Sequence, residues 1–214
     1  LKDAGHVLGS SMYEVTYTAE GEDKKRKIVF TGDLGNSPTP LLRDTEDVTD
    51  ADYMIMESVY GDRNHEDRDI RLSRLEKVVR DNHDRGGVLL MPIFSLEKTQ
   101  ELLFEIHKLM DQKRLPITPV YMDSPLAIKI TEIYKKYTED FNNKARADIK
   151  TGDDIFNFPK LKFTESHDES ESIHNKPDPK IIIAGGGMSE GGRVVGHEAR
   201  YLPYKNNIIL LVGY

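Results

Sequence analysis

The stretch Lys180-Ile181-Ile182-Ile183-Ala184-Gly185-Gly186-Gly187-Met188-Ser189-Glu190-Gly191-Gly192-Arg193 carries three signals in succession. A short β-branched run reads as a buried strand. The glycines around Met188 and Ser189 let the backbone turn tightly. A helix over Arg193–Leu202 follows, and Asn207–Val212 reads as the last strand. The same alternation runs upstream. Arg68–His83 has helical spacing in Ile70, Leu72, Leu75, Val78 and Val79, and Gly87–Phe94 is an apolar run bounded by Gly86 and containing Pro92. Ser95 can cap a helix through Lys113, Pro119–Met122 reads as a strand, and Ser124–Tyr137 as a helix with Pro125 in its first turn. Residues 138–160 read as polar and helical or irregular, Leu161–Thr164 as a strand and Glu169–His174 as a short helix. Strands alternating with helices predict crossover units and a mostly parallel sheet flanked by helices, an α/β architecture.

Residues 1–64 have a different texture. Ser10–Thr18 and Arg26–Phe30 are β-type runs separated by the polar turn Glu20–Lys25, which predicts a hairpin. A further strand is predicted over Tyr53–Glu57. The chain therefore divides, by pattern, into a β-rich piece over 1–64 and an α/β piece over 65–214.

Composition narrows the class. The apolar fraction is 37% and the charged fraction 31% over 214 residues, the balance of a chain that can bury a sizeable core. No run approaches 18 apolar residues, so no membrane-spanning helix is predicted and no membrane partner expected. There is no apolar leader at the start. Cysteine is absent, so disulfides and thiolate ligands are excluded, and a reducing, cytoplasmic setting is expected. The net charge of −7 argues against retention on nucleic acid by bulk basicity, though a local cleft or a metal site still permits it. The chain begins at Leu1 without Met and ends on a strand-like run, so both ends read as cut and a fragment of a longer protein is expected.

Three polar residues sit at the ends of β-type runs. His6 lies in Asp3-Ala4-Gly5-His6-Val7-Leu8-Gly9-Ser10, Asp33 in Phe30-Thr31-Gly32-Asp33-Leu34-Gly35, and Glu57 in Met54-Ile55-Met56-Glu57-Ser58-Val59-Tyr60-Gly61-Asp62-Arg63. Each has a plain reading. His6 suits a surface or core histidine, Asp33 a turn former and Glu57 the partner of an arginine such as Arg63. Carboxylates and imidazoles at successive strand ends can also converge on one rim, which is where a site would form. The glycine-rich turn suits a phosphate at a helix N-terminus or is a plain tight turn. Ser124 reads as a helix start or a cleft-lining group, and Arg193 as a phosphate contact or a carboxylate partner. His65, His83, His107, His167, His174 and His197 read as surface residues.

In this order and spacing, the segments around His6, Asp33 and Glu57 resemble the third and fourth metal motifs of the metallo-β-lactamase superfamily, followed by motif A of its β-CASP nuclease branch. Pro92–Leu103, Tyr121-Met122-Asp123-Ser124-Pro125-Leu126-Ala127, Gly185–Arg193 and Leu211–Tyr214 resemble later segments of that branch. The branch's His-x-His-x-Asp-His motif and its two later histidine motifs are absent here. Val59 stands where threonine is usual, and His197 lacks the surroundings of the second histidine motif.

The resemblance implies part of a metallo-β-lactamase αββα sandwich over 1–64 and a β-CASP domain over 65–214. It implies a zinc-dependent ribonuclease cutting RNA phosphodiesters in a cleft between the two, this piece alone being inactive. Two zinc ions would generate hydroxide and clamp the scissile phosphate. His6 would ligate one ion and Asp33 bridge both, while Glu57 would orient a histidine that protonates the leaving oxygen. Ser124, Gly187, Ser189 and Arg193 are the expected substrate contacts. A DNA-directed nuclease, or a non-catalytic piece that binds nucleic acid or a partner, are the alternatives, and a homo-oligomer is allowed.

Overall fold

The computed structural model describes residues 1–64 and 70–212. The chain forms two compact units: residues 1–66 with 137–150, and residues 67–136 with 151–214.

The first unit holds a four-stranded sheet of β1 (Lys2–Asp3), β2 (Ser11–Thr18), β3 (Lys25–Phe30) and β4 (Tyr53–Ile55) in that spatial order. The predicted hairpin is present: β2 and β3 are antiparallel, with Val15 opposite Ile28 and Thr18 opposite Lys25. β4 adds to β3 in parallel and stops at Ile55, two residues before the predicted end.

The boundary predicted near residue 64 is incomplete, because residues 137–150 belong to this unit. They comprise a 3₁₀ turn over Thr138–Asp140 and a helix over Asn143–Lys150, the fourth of the chain (α4). The cause is packing between residues far apart in sequence. Leu41, Leu42, Phe141 and Ala145 are all buried. The Asn142 side chain donates to the carbonyls of Thr39 and Pro40, both at 3.1 Å, and its backbone N–H donates to Leu41 at 2.9 Å.

The second unit is built on β5 (Val88–Ile93), β6 (Val120–Asp123), β7 (Leu161–Phe163), β8 (Lys180–Gly185) and β9 (Ile208–Ile209). Their spatial order is β7-β6-β8-β5-β9, and every neighbouring pair is parallel. The all-apolar reading of 88–93 and 181–184 follows from this placement, since central strands of a parallel sheet are covered on both faces. Among the described residues the unit also holds α1 (Arg71–Arg85), α2 (Lys98–Asp111), α3 (Pro125–Lys136), α5 (His167–Ser172), a 3₁₀ turn over Ile173–Asn175, and α6 (Arg193–Tyr201). Helix α1 buries Leu75 and Val79 and ends at Gly86 in the left-handed conformation, with the Gly86 N–H on the His83 carbonyl at 3.1 Å. Val88, Leu90, Tyr121, Ile173, Ile182, Ala184, Val194 and Tyr201 form one core cluster.

Local expectations differ from this structure in two places. Ser95 does not cap α2. The segment before the helix turns back on itself instead, with Thr99 Oγ1 on the Phe94 carbonyl at 2.7 Å and Gln100 Nε2 on the Ser95 carbonyl at 3.2 Å. The helix then starts at Lys98, after Glu97 at φ +59°. The last strand is only Ile208–Ile209, because Asn207 turns its side chain to work: Oδ1 accepts from the Val88 N–H at 2.8 Å and Nδ2 donates to the Tyr201 carbonyl at 2.7 Å. The predicted start of α1 at Arg68, the position of His65 and the end of the segment Leu211–Tyr214 lie outside the described residues. Among the described residues, no helix is long and apolar enough to cross a membrane.

Candidate active site

In the first unit, three loops at strand ends are fastened to one another. After β1 the chain turns at Gly5, and the Ser10 hydroxyl accepts the backbone N–H groups of His6 and Val7, both at 3.1 Å. This folds the loop onto its own base and leaves His6 exposed. After β3, Thr31 is buried, Gly32 takes φ +56° and Asp33 is exposed. The Gly35 N–H then donates to the Ala4 carbonyl at 2.7 Å, joining the Asp33 loop to the His6 loop. Only glycine fits at 35, since a Cβ there would stand 1.8 Å from the Gly5 carbonyl oxygen.

Glu57 closes the set. Its Oε1 accepts the Leu34 N–H at 2.6 Å, and its own N–H reaches Thr31 Oγ1 at 3.4 Å. A half-buried carboxylate thus holds the backbone immediately after Asp33. Arg63, its expected ion-pair partner in the plain reading, instead lies over the Tyr60 ring at 5.1 Å. The loops bearing His6, Asp33 and Glu57 are therefore neighbours.

The donors suit a divalent cation of borderline softness: one imidazole and one carboxylate, both open to solvent. They are too few for it. A zinc site needs at least three protein ligands, and among the described residues no group of three His, Cys, Asp or Glu can hold a metal ion. The residues present do not by themselves complete a zinc centre.

In the second unit, the functional side chains gather where the parallel strands end. Strand β6 leads away to β7 on one side and β8 to β9 beyond β5 on the other, so the ends of β6 and β8 form a switch point of the sheet. Crevices at such points are where open α/β sheets bind ligands. Asp123, Ser124 and the turn 185–192 all lie there.

Of the expected substrate contacts, Ser124 is buried. Its Oγ accepts the Ala127 N–H at 3.3 Å, the helix-start reading, and lies 3.2 Å from Ser95 Oγ. Gly187 packs against Phe94, and a Cβ there would meet the ring at 3.0 Å. Ser189, at φ +56°, has its hydroxyl on Glu198 Oε1 at 2.5 Å, which ties the turn to α6. Arg193 is the clearest difference. Nη1 donates to Asp123 Oδ1 at 2.7 Å and to the Thr164 carbonyl at 2.9 Å, and Nη2 to the Glu165 carbonyl at 2.7 Å. The structure realises the carboxylate-partner alternative.

Asp123 was no site candidate from sequence, yet it is the hub of this region. Its side chain has 0% exposure. Oδ1 accepts from Arg193 and from Thr164 Oγ1 at 2.7 Å, and Oδ2 from Ser170 Oγ at 2.6 Å and His197 Nε2 at 2.7 Å. Burial alone would raise its pKa. The hydrogen bonds from His197, Ser170, Thr164 and Arg193 outweigh that and hold it well below the usual carboxylate range.

Three histidines expected at the surface are not there. His197 is 2% exposed on Asp123. His174 has a 7% exposed side chain with Nδ1 2.9 Å from the Tyr201 hydroxyl. His107 sits between the Asn157 carbonyl and Asp153, at 2.9 and 2.8 Å. Burial, with help from Arg200 and His197, lowers the pKa of His174, and burial followed by Asp178 pushes Tyr201 up to about 12. The spacing of Val194, His197 and Tyr201 along α6 marks one inward face, and that stripe is the sequence signal for His197.

Comparison with known proteins agrees with the resemblance read from the motifs. Residues 99–214 match the model of the Beta-Casp domain. Over 211 residues the chain is 31% identical to a ribonuclease, TTHA0252, of Thermus thermophilus, covering 99% of this chain and 47% of that protein. It is 33% identical over 219 residues to the RNase aCSPSF2 of Saccharolobus solfataricus, covering 100% of this chain and 40% of that protein. It is 28% identical over 216 residues to the transcription termination factor FttA of Methanosarcina mazei, covering 99% and 33%. The chain thus spans about half or less of the length of these relatives. With a mixed α/β fold, a parallel sheet flanked by helices and the family model matching more than half its length, the chain belongs to the Beta-Casp domain family.

Proposed function

We propose that this chain is part of a metal-dependent ribonuclease that hydrolyses RNA phosphodiesters. The observation that carries the reading is the fastening of three loops by the Gly35–Ala4 and Leu34–Glu57 hydrogen bonds, which makes neighbours of His6, Asp33 and Glu57. The names of the relatives favour RNA over DNA as substrate.

In this reading His6 and Asp33 are two ligands of a zinc centre whose further ligands are other residues. Such a centre supplies an acidified water and charge for the phosphate. Glu57 acts in two ways: its charge orients the histidine that protonates the leaving oxygen, and its carboxylate sets the position of the Asp33 loop. By holding the Leu34 N–H it fixes the backbone that presents Asp33. The turn 185–192, at the switch point of the sheet, offers backbone N–H groups to a phosphate of the RNA strand.

The test is cleavage of a labelled single-stranded RNA, and of the matching DNA, by the full-length protein and its Asp33→Asn variant, with metal per chain measured on both. RNA cleavage that collapses in Asp33→Asn together with metal content supports the reading. Equal cleavage and equal metal in the two proteins overturn it, and faster cleavage of the DNA overturns the choice of RNA.

A further inference from the structure

We infer that Asp123 is the positioning residue of the glycine-rich turn, and that Arg193 serves the turn as a strut and not as a phosphate ligand. The second half of this rests on the proposed reading that the turn meets RNA.

The argument starts from valence. An ionised carboxylate only accepts hydrogen bonds, and Asp123 has four donors on its two oxygens, from three different segments. Thr164 follows β7, Ser170 lies in α5, Arg193 opens α6 and His197 stands one turn further on. Asp123 itself ends β6 and immediately precedes Ser124. One buried group therefore fixes where α6 begins relative to the ends of β6 and β7. The turn 185–192 is the chain between the end of β8 and that helix start, so its two ends are both held.

Arg193 is committed to this arrangement. Its two terminal nitrogens are engaged by three acceptors, all of them protein groups. Turning the Nη1 donors to a phosphate would leave Asp123 without its cation in a dry site, which is costly, and the three bonds use both hydrogens of Nη1 and one of Nη2. The planar fork explains why arginine stands here: a lysine ammonium is a point charge and does not span Asp123, Thr164 and Glu165 with the same geometry.

His197 reports on the same hub. Because Asp123 Oδ2 only accepts, Nε2 must carry the proton. Nδ1 is buried with no hydrogen-bond partner among the described residues, and an unpaired acceptor there is better tolerated than an unpaired N–H. In Asp123→Asn, the amide oxygen can keep Arg193 and Thr164. The amide nitrogen then faces His197 and Ser170 and must donate to both, so His197 has to move its proton to Nδ1.

Nitrogen-15 NMR of the chain tests this directly. The expected result is a His197 protonated at Nε2 in the wild type and at Nδ1 in Asp123→Asn, with the amide resonances of Gly185–Arg193 displaced in the variant. An Nδ1-protonated wild type, or turn amides unmoved by Asp123→Asn, overturns the positioning role. If Asp123→Asn does not fold, Arg193→Lys carries the same readout, because it leaves Asp123 intact and breaks only the fork. Displaced turn amides are again expected, and unmoved ones overturn the role.

The strut is tested by the salt dependence of polyuridylate binding. A lost phosphate contact on a single strand lowers the slope of log K against log salt by about 0.7. Arg193→Gln is expected to leave that slope unchanged, while Arg193→Lys loses about 10-fold in affinity although its charge is kept, the scale seen when a supporting group is removed. A slope reduced in Arg193→Gln, or full affinity in Arg193→Lys, makes Arg193 a phosphate ligand. Absence of polyuridylate binding by the wild type counts against the RNA reading alone, and the NMR result still decides the role of Asp123.

Discussion

The rim around His6, Asp33 and Glu57 and the hub around Asp123 use the same kinds of side chain to opposite ends. At the rim, the backbone is tightly bonded and the reactive groups are left open: His6 and Asp33 are exposed while the amides around them are satisfied. At the hub, the side chains bond one another: both oxygens of Asp123 are taken by four donors, and among the described residues the buried Nδ1 of His197 has no hydrogen-bond partner. A group meant to meet a metal or a substrate must keep its lone pairs free and have its position set by neighbours. A group meant to set position must spend all its lone pairs. On that criterion, Asp33 belongs to the first kind, Asp123 to the second, and Glu57 lies between them.

The largest effect expected from this contrast is on folding. Asp123→Ala leaves Arg193 and His197 without their acceptor, and breaking a buried pair in this way costs about 3–5 kcal/mol. Denaturant unfolding of the chain checks it. A cost near that of an ordinary surface substitution would mean that the hub is not closed to water. The same carboxylate gives a pH signature. Its pKa is depressed in the folded state below the ordinary aspartate value of 3.8, so its contribution is present above that pH and is lost as acid is added below it. Wild type should lose stability below about pH 4 more steeply than Asp123→Ala does.

The next effect falls on chemistry. In the full-length protein, Asp33→Asn is expected to keep the fold and lower RNA cleavage by more than about 100-fold, beyond what loss of a supporting group brings. Unfolding midpoint and cleavage rate, measured on the same preparation, separate the two. A shifted midpoint would place Asp33 among the structural carboxylates and erase its difference from Asp123.

Glu57→Gln should fall lower, at about 10–100-fold in rate. The amide oxygen can still accept the Leu34 N–H, so the loop keeps its path and only the charge is lost. Glu57→Ala, which also frees that N–H, should add a stability cost of about 1–3 kcal/mol. Equal rates in wild type and Glu57→Gln would show that Glu57 only holds backbone.

This contrast explains what the sequence could and could not show. His6 stands just before the β-type run Ser10–Thr18, while Asp33 and Glu57 each follow such a run, and their places at strand ends were legible because run and polar residue are close in the chain. The parallel sheet was legible for the same reason: the runs 88–93 and 181–184 are apolar throughout. The hub was not, because its bonds join residues far apart, Asp123 to His197 and Asp123 to Arg193, and no local pattern encodes such a pairing. The same holds for Phe141, whose burial beside Leu41 and Leu42 brings residues 137–150 into the first unit. The start of α2 was misplaced for a different reason. Ser95 has the composition of a cap, but the side chains of Thr99 and Gln100 took up the carbonyls of Phe94 and Ser95 and shifted the helix start to Lys98.

The smallest expected effect concerns a histidine packed beside the hub. Burial, then Arg200 and His197, lower the pKa of His174 in the folded state from the ordinary histidine value of 6.5. The folded chain therefore binds a proton at this site less readily than the unfolded chain does. Below about pH 6.5 the unfolded state takes up more protons, and stability falls as pH drops. This window lies well above that of Asp123, so the two contributions separate along one titration. His174→Gln removes the titrating group while its amide can still meet the Tyr201 hydroxyl, and it should flatten the change in unfolding midpoint between pH 7 and pH 5. His6→Ala, at an exposed position, should leave the midpoint as in the wild type, within about 0.5 kcal/mol. If His6→Ala lowered the midpoint and His174→Gln left the pH slope unchanged, the division between open rim and closed hub would fail.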